Sequence, residues 1–277
     1  AWSIKLVFNL YQLFGYKFIY YLMYPVTFFY FLFATNIKKS LKIYYQRLEL
    51  PFNNYVYFEH LRMFAITMVD RFISKYDAAS YEFICPNTKE LKEIMQTKTI
   101  LLFSHFGGWS STPNKPISDN GINIVMQEVM QEGIKEIEDS IENKIENTKI
   151  IDISRGPIPV SIEIAQAISN NEIIAMMADR PTSNKYKYST KFFNKEGFFN
   201  ENPFKIAYRT KTPILTHFAI YKDLQTYEEE AIQLEIDYNL KEKEAIKKVI
   251  EDYAKLFEDI LKKYPNQWFN FYNFWEK

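Results

Sequence analysis

Residues 99–110 read TILLFSHFGGWS, and this stretch decides the fold of the chain. Its apolar first half is typical of a buried strand, which leads into His105 and then into Gly107 and Gly108. Glycine is scarce here, with 7 in 277 residues, so a pair directly after a strand predicts a tight turn that lets a substrate approach the backbone. A histidine at this point is placed as a general base would be. The alternative is a hydrogen-bonded histidine at the edge of a sheet.

Short apolar runs alternate with helical patterns after residue 98. Runs of strand length cover residues 99–104, 123–127, 150–154 and 172–179, with helical spacing at Ile134, Ile137, Ile141 and Ile145 and over residues 159–170. This order is typical of parallel strands joined by crossover helices. The sequence therefore predicts an α/β fold, with a mostly parallel central sheet flanked by helices, as one domain over residues 41–277.

The rest of that domain follows the same two periodicities. Residues 40–95 have helical spacing, and residues 212–222 and 231–238 predict further strands. A closing amphipathic helix is predicted from the shared face of Ile246, Val249, Ile250, Tyr253, Phe257 and Ile260.

Polar side chains follow the four proposed strands. They are Ser104 and His105, Gln127 and Glu128, Ser154 and Arg155, and Asp179 and Arg180. Because ligands of open α/β sheets bind outside the carboxyl ends of the strands, these residues predict a functional site at one edge of the sheet.

Several blocks of this sequence resemble the lysophospholipid acyltransferase superfamily. The segment from His105 to Trp109 is similar to its His-x4-Asp/Glu block, in particular that of the late acyltransferases of lipid A synthesis and their predicted-acyltransferase relatives. Residues 123–128 (NIVMQE), 172–181 (EIIAMMADRP) and 191–214 agree in order and spacing, and residues 264–275 (YPNQWFNFYNFW) look like the closing signature. The resemblance implies a transferase that moves a fatty acyl group from an acyl-carrier-protein or coenzyme A thioester to a lipid or glycolipid hydroxyl. It implies no bound cofactor.

The catalytic residues expected from this chemistry are His105 and Asp179. An imidazole is a suitable base for the attacking hydroxyl, and the oxyanion needs donors, which we expect from the amides of Gly107 and Gly108 and from Arg180. In the family an acid at the fifth position after the histidine orients the imidazole, and this chain has Ser110 there. Asp179 is the expected replacement and Glu128 the second choice. A structural ion pair between Asp179 and Arg180 is the alternative.

Further residues are expected to bind the substrate. They are Gly107, Gly108, Trp109, Ser110, Gln127, Glu128, Arg180, Phe192, Phe193 and Asn194. The last three belong to an aromatic block that resembles the family's acceptor and acyl groove. Either a lipid-facing loop or core packing explains its phenylalanine pairs.

Residues 1–40 predict apolar, membrane-associated helices. A polar break at residues 15–17 and Pro25 interrupt the apolar run, and Lys38, Lys39, Lys42 and Arg47 follow it as a basic collar suited to anionic lipid. We therefore expect a peripheral or monotopic anchor lying in the plane of the membrane, at the cytoplasmic face of the inner membrane, with membrane lipid and an acyl carrier protein as partners. A true span and an internal helical layer are the alternatives.

Composition limits the remaining choices. The 34 basic and 34 acidic residues balance, which argues against a nucleic-acid partner, and the single cysteine excludes an internal disulfide. Three histidines without ligand spacing make a metal site unexpected. The loss of the family acid at Ser110 leaves a second function open, a non-catalytic lipid-binding or scaffold subunit with the acyltransferase fold. A thioester hydrolase is the third.

Overall fold

The computed structural model describes residues 2–86, 88–111, 120–127, 148–181 and 186–276. Its helices are α1 (Trp2–Phe33), α2 (Thr35–Arg47), α3 (Asn54–Tyr76), α4 (Thr88–Met95), α5 (Pro157–Ser169), α6 (Asn202–Thr210) and α7 (Glu242–Lys263). Its strands are β1 (Glu82–Ile84), β2 (Thr99–Phe103), β3 (Ile122–Met126), β4 (Thr148–Asp152), β5 (Ile173–Met177), β6 (Lys187–Phe192), β7 (Lys195–Asn200), β8 (Ile214–Asp223) and β9 (Thr226–Leu234). The predicted helix around Ile134 to Ile145 lies outside the described residues, as does Glu128.

The described strands form a seven-stranded sheet in the order β1-β9-β8-β2-β5-β3-β4, beside a separate hairpin of β6 and β7. Strands β8 and β9 pair antiparallel, and the other neighbours in the large sheet pair parallel. The predicted α/β fold with a mostly parallel sheet is confirmed. Since β2 and β5 are neighbours, the residues that follow them meet at one edge.

Helix α7 packs against one face of the sheet. Its buried residues include all six of the predicted apolar face, which pack with Phe218 of β8 and with Trp268 of the C-terminal segment. On the opposite face, Leu91 and Met95 of α4 pack against Leu101 and Leu215. Apolar side chains on both faces of a parallel sheet explain why its strands are continuous apolar runs.

Helix α1 is bent at Gly15, where φ is 75°. Beyond this kink, one face of the helix is buried at Tyr16, Ile19, Met23 and Thr27. The first three of these side chains pack in a cluster with residues of α3. The remaining surface of the helix is also apolar and exposed, at Leu13, Phe14, Phe18, Tyr21, Phe28, Phe29, Leu32 and Phe33. The predicted break at residues 15–17 is therefore the kink.

No single helix among the described residues meets the length and hydropathy needed to cross a bilayer. The segments Lys5–Phe33 and Thr35–Arg47 meet the requirement only together, and they are bent by 92° at the break between them.

Candidate active site

The predicted turn after β2 is present, but close packing against the protein explains its glycines. Gly107 has φ of 53°, and a β-carbon there would collide with the carbonyl oxygen of Ala219 in β8. A β-carbon on Gly108 would collide with the ring of Tyr227 in β9. The pair therefore lets this loop lie directly on the neighbouring strands.

The amides of Gly107 and Gly108, which are the expected oxyanion donors, have backbone partners in this packing. The Gly107 amide donates to the carbonyl of Gln267 at 2.8 Å, and the Gly108 amide donates to the carbonyl of Ala219 at 2.8 Å. An N–H that already donates to a backbone carbonyl is not free to receive a developing oxyanion. Both amides are therefore engaged within the protein in this structure, and their expected roles toward the oxyanion and the substrate stay predictions.

His105 meets Asp179 at the carboxyl edge of the sheet. The His105 Nδ1 atom lies 3.0 Å from Oδ1 of Asp179, and the His105 backbone amide donates to Oδ2 at 3.1 Å. The imidazole keeps 23% of its side-chain surface exposed, whereas Asp179 is almost fully buried. Since a carboxylate only accepts hydrogen bonds, Nδ1 carries the proton and Nε2 is left as the basic nitrogen.

Asp179 is held as a carboxylate. The indole Nε1–H of Trp268 donates to its Oδ2 at 3.0 Å, in addition to the donors from His105. Burial alone raises the pKa of a carboxyl, but His105 and these donated hydrogen bonds outweigh burial and hold the pKa of Asp179 below its ordinary value. A buried negative charge next to Nδ1 orients the imidazole and stabilises its protonated form.

Trp268 is the site residue that the sequence analysis missed. It belongs to residues 264–275, which were recognised only as a closing signature. Strand-like backbone contacts tie this segment to the histidine loop, because the Phe269 amide donates to the His105 carbonyl at 2.8 Å and Phe106 forms a bridge with Trp268. The recurrent aromatic residues of this segment indicate burial. They do not indicate that Trp268 contacts Asp179, which lies 89 positions earlier in the chain.

Three other residues expected at the site are Trp109, Ser110 and Gln127. The ring of Trp109 packs edge-on against that of His105, with centroids 5.4 Å apart. Ser110 is half-buried in the same turn, and the described hydrogen bonds of the His105 ring go to Asp179. Gln127 is exposed directly after β3, which lies beside β5.

Arg180 does not form the alternative ion pair with Asp179, whose described partners are His105 and Trp268. Its guanidinium lies over the ring of Tyr272, 5.0 Å from the centroid. Its Nε atom is buried and has no hydrogen-bond partner within the described part of the chain. Arg180, the residue after Asp179, therefore has an N–H donor without an acceptor among the described residues.

Phe192 and Phe193 of the aromatic block pack in the core, which agrees with the second of the two alternatives, core packing. Their expected role in substrate binding stays a prediction. Both phenylalanines are buried at the end of the β6–β7 hairpin, and Phe192 contacts the rings of Trp268 and Phe257. Phe193 and Asn194 form the turn, each with a positive φ, and only Asn194 is exposed. Repeated phenylalanines suit a buried hairpin as well as a lipid groove, and the sequence pattern does not separate the two.

The remaining two histidines are buried. His60 lies in α3 between Tyr45 and the Trp268 carbonyl, and His217 lies in β8 with Nε2 3.4 Å from Glu229 Oε1. No group of acidic, cysteine and histidine side chains suited to a metal ion occurs within the described ranges.

A histidine held by a buried carboxylate at the carboxyl edge of a parallel sheet is the arrangement of an enzyme that takes a proton from a hydroxyl or from water. Residues 129–277, more than half of the chain, match the family of bacterial lipid A biosynthesis acyltransferases, and the chain belongs to this family. The resemblance noted from the sequence is confirmed. No curated protein sequence matches the chain. The matched region contains Asp179, Arg180 and Trp268 but not His105.

Proposed function

We propose that this protein transfers a fatty acyl group from a thioester to the hydroxyl of a lipid or glycolipid, with His105 as the general base and Asp179 as the group that orients it. The observation that carries the proposal is the contact of 3.0 Å between His105 Nδ1 and Asp179 Oδ1. It supplies the negative charge that Ser110 cannot offer. The family of lipid A acyltransferases supports the acyl-transfer chemistry.

In the proposed step, the acceptor hydroxyl loses its proton to Nε2 of His105 as its oxygen attacks the thioester carbonyl. The tetrahedral intermediate collapses with breakage of the carbon–sulfur bond, and the new ester forms. The thiolate leaves and takes the proton back from the imidazolium. Asp179 stabilises the imidazolium in between, because an ion pair is strong where water is excluded.

Arg180 is the proposed donor to the oxyanion. The amides of Gly107 and Gly108 are engaged elsewhere, whereas the Nε atom of Arg180, the residue after Asp179, is buried without a partner among the described residues. A cation at this place also suits the negative charge of the intermediate. The donor thioester is carried by acyl carrier protein or coenzyme A.

The exposed apolar face of α1 supports a position on a lipid surface. Phe14, Phe29 and Phe33 are more than half exposed, although the opposite stripe of the same helix is buried in the protein. Such a large exposed apolar area is typical of a membrane or protein contact. We infer an in-plane anchor at the cytoplasmic face of the inner membrane, where soluble thioester donors are available, with Lys39 and Lys42 exposed toward anionic headgroups.

The test compares wild-type protein with His105→Ala and with the buried-histidine control His217→Asn. The assay follows acyl transfer from a long-chain coenzyme A or acyl-carrier-protein thioester to vesicles that contain a lysophospholipid or a hydroxyacylated disaccharide lipid. We expect His105→Ala to lower turnover by about two to four orders of magnitude and the control to stay within about twofold. Equal turnover in wild type and His105→Ala would exclude this mechanism. Absence of any acyl product from wild type, with every donor, would favour the scaffold function.

A further inference from the structure

A chain of hydrogen bonds connects Asp179 to the N-terminal helices through Trp268 and His60. The Trp268 indole donates to Asp179, and the backbone carbonyl of the same tryptophan accepts a hydrogen bond from Nε2 of His60 at 3.0 Å. Nδ1 of His60 lies 3.2 Å from the Tyr45 hydroxyl in α2. The structure thus connects α2 and α3 to the catalytic pair through one residue of the C-terminal segment.

We propose that Trp268 and His60 are positioning residues for acyl transfer, with His60 holding Trp268 and Trp268 holding the carboxylate that orients His105. This proposal rests on the proposed function of the His105–Asp179 pair. It assigns the C-terminal segment a role in the charge state and direction of Asp179, in addition to covering the core.

The role of Trp268 follows from what its indole faces. Trp268 is completely buried, and its indole and the His105 amide both donate to Oδ2 of Asp179. The imidazole Nδ1 lies 3.0 Å from Oδ1 and 3.2 Å from Oδ2. Donors on Oδ2 fix the plane of the carboxylate and favour its charged form. An aromatic ring without an N–H at this place would leave one of these donors missing.

The role of His60 follows from its two partners. A carbonyl only accepts, so the single N–H of a neutral His60 is on Nε2 and Nδ1 accepts from the Tyr45 hydroxyl. Burial lowers the pKa of His60 to about 4, against the opposing effect of the Trp268 carbonyl, so the ring is neutral at ordinary pH. A neutral, doubly hydrogen-bonded histidine fixes the backbone of Trp268 without placing a second cation near Asp179.

The chain offers a matched control for Trp268. Trp275 is also buried in the C-terminal segment and also donates its indole N–H, at 3.0 Å, but to the backbone carbonyl of Phe192. Trp268→Phe and Trp275→Phe thus remove the same atoms from the same segment. The two changes differ in whether a carboxylate or a carbonyl loses its donor.

The experiment measures the pH dependence of kcat and KM for both variants in detergent or vesicles, and the titration of the His105 ring by nitrogen-15 NMR. With 3 histidines in the sequence, His105→Ala assigns its signals. Loss of the indole donor makes Asp179 more basic. We therefore expect Trp268→Phe to move proton uptake by the His105–Asp179 pair to higher pH and to lower kcat about tenfold with KM unchanged. Trp275→Phe is expected to leave the titration unmoved.

His60 is tested with two replacements that differ in one capability. His60→Gln keeps a donor near the position of Nε2, and His60→Leu removes it. We expect the leucine variant to move the titration in the same direction as Trp268→Phe, and the glutamine variant to restore most of the shift. Equal titrations in the two variants would refute the role of His60.

The outcome that overturns the role of Trp268 is an unmoved His105 titration in Trp268→Phe, with losses of stability and turnover equal to those of Trp275→Phe. That result would leave Trp268 as packing alone. The NMR titration needs no turnover. A wild-type protein without transferase activity would refute the proposed function, and the titration would still show whether Trp268 and His60 position the His105–Asp179 pair.

Discussion

Two buried aspartates, Asp179 at the sheet edge and Asp70 in the helical layer, differ in charge because they differ in partners. Asp179 faces an imidazole, an indole N–H and a backbone amide, and its pKa lies below the ordinary value. Asp70 of α3 is fully buried and accepts from the hydroxyls of Tyr81 at 2.7 Å and Tyr227 at 2.5 Å. Burial raises the pKa of Asp70 to about 7 against these hydrogen bonds.

At Asp70 the hydroxyl donors do not offset the effect of burial, and the pKa of the carboxyl stays above its ordinary value. At Asp179 the neighbouring imidazole, which can become a cation, lowers the pKa of the carboxyl against the effect of burial. Asp70 instead joins elements of different parts of the chain, since its partners lie before β1 and in β9, and Tyr16 of α1 lies beside it. Asp179 is the proposed partner of the general base, and Asp70 joins the helical layer to the sheet.

The largest expected effect that separates the two is on turnover. Asp179→Asn removes the negative charge beside His105, and we expect turnover to fall about as far as in His105→Ala, by about two to four orders of magnitude. Asp70→Asn is expected to stay within about threefold of wild type, because no described contact joins it to His105. Acyl-product formation under identical conditions measures both. A similar loss in both variants would show that the comparison is wrong.

The next effect concerns stability and pH. The pKa of Asp70 is raised from 3.8 to about 7, so the folded state holds a proton that the unfolded state has already lost over that interval. Asp70 therefore lowers stability progressively as pH rises from about 4 to about 7, by up to a few kcal/mol. Relative to wild type, Asp70→Asn is expected to gain stability over that interval and to gain nothing more above it. Urea unfolding at about pH 5 and about pH 8 checks this, with the mostly exposed Asp259→Asn as control.

The pH dependence of stability expected from His60 is opposite to that of Asp70, because His60 makes the protein less stable as the pH falls. Its pKa is lowered from 6.5 to about 4, so below 6.5 the unfolded chain takes up a proton that the folded protein does not. His60 therefore contributes a stability loss as pH falls from about 6.5 to about 4. His60→Gln is expected to be less sensitive to acid than wild type over that interval. An unchanged slope would contradict a neutral His60.

A smaller effect is expected at the basic collar. Replacing Lys39 and Lys42 with glutamine removes two exposed charges next to the apolar helix, each worth about 1 kcal/mol at an anionic surface. Binding to anionic vesicles is expected to weaken about tenfold and to become less sensitive to salt. The matched control replaces Lys247 and Lys262 of α7, which are comparably exposed. Equal binding of both double variants would argue against the collar.

The smallest effect is expected at Ser110. Asp179 already supplies the charge that the resemblance places at this position, so Ser110→Asp is expected to change turnover by less than about threefold or to raise it. A loss of a hundredfold or more would show that Ser110 itself orients His105.

Much of the sheet, and the position of His105 and Asp179 at one edge of it, could be predicted from local pattern. The strand runs before His105 and Asp179 are continuous and apolar because both faces of the sheet are covered, and polar residues begin where that cover ends. Because each residue directly follows a parallel strand, the local pattern places Asp179 and His105 at the same edge of the sheet. The distance of 3.0 Å between His105 Nδ1 and Asp179 Oδ1 depends on the pairing of β2 with β5, which the local pattern does not specify.

Three features depended on contacts that the sequence does not encode locally. The glycine pair fits ligand binding and close packing equally well until Ala219 and Tyr227 are in place. The buried hairpin of Phe192 and Phe193 has the same composition as a lipid-facing loop. Trp268 reaches Asp179 only through the tertiary fold, so its donor role was not visible in the spacing.

The most direct test of the central claim is a double-mutant cycle of turnover with His105→Ala, Asp179→Asn and both changes together. If Asp179 acts by orienting and stabilising His105, it has nothing left to act on when the imidazole is gone. We expect the double variant to be no slower than His105→Ala, within about twofold, although each single change costs about two to four orders of magnitude. Additive losses would show that the two residues act independently, and would contradict the account of a His105–Asp179 catalytic pair.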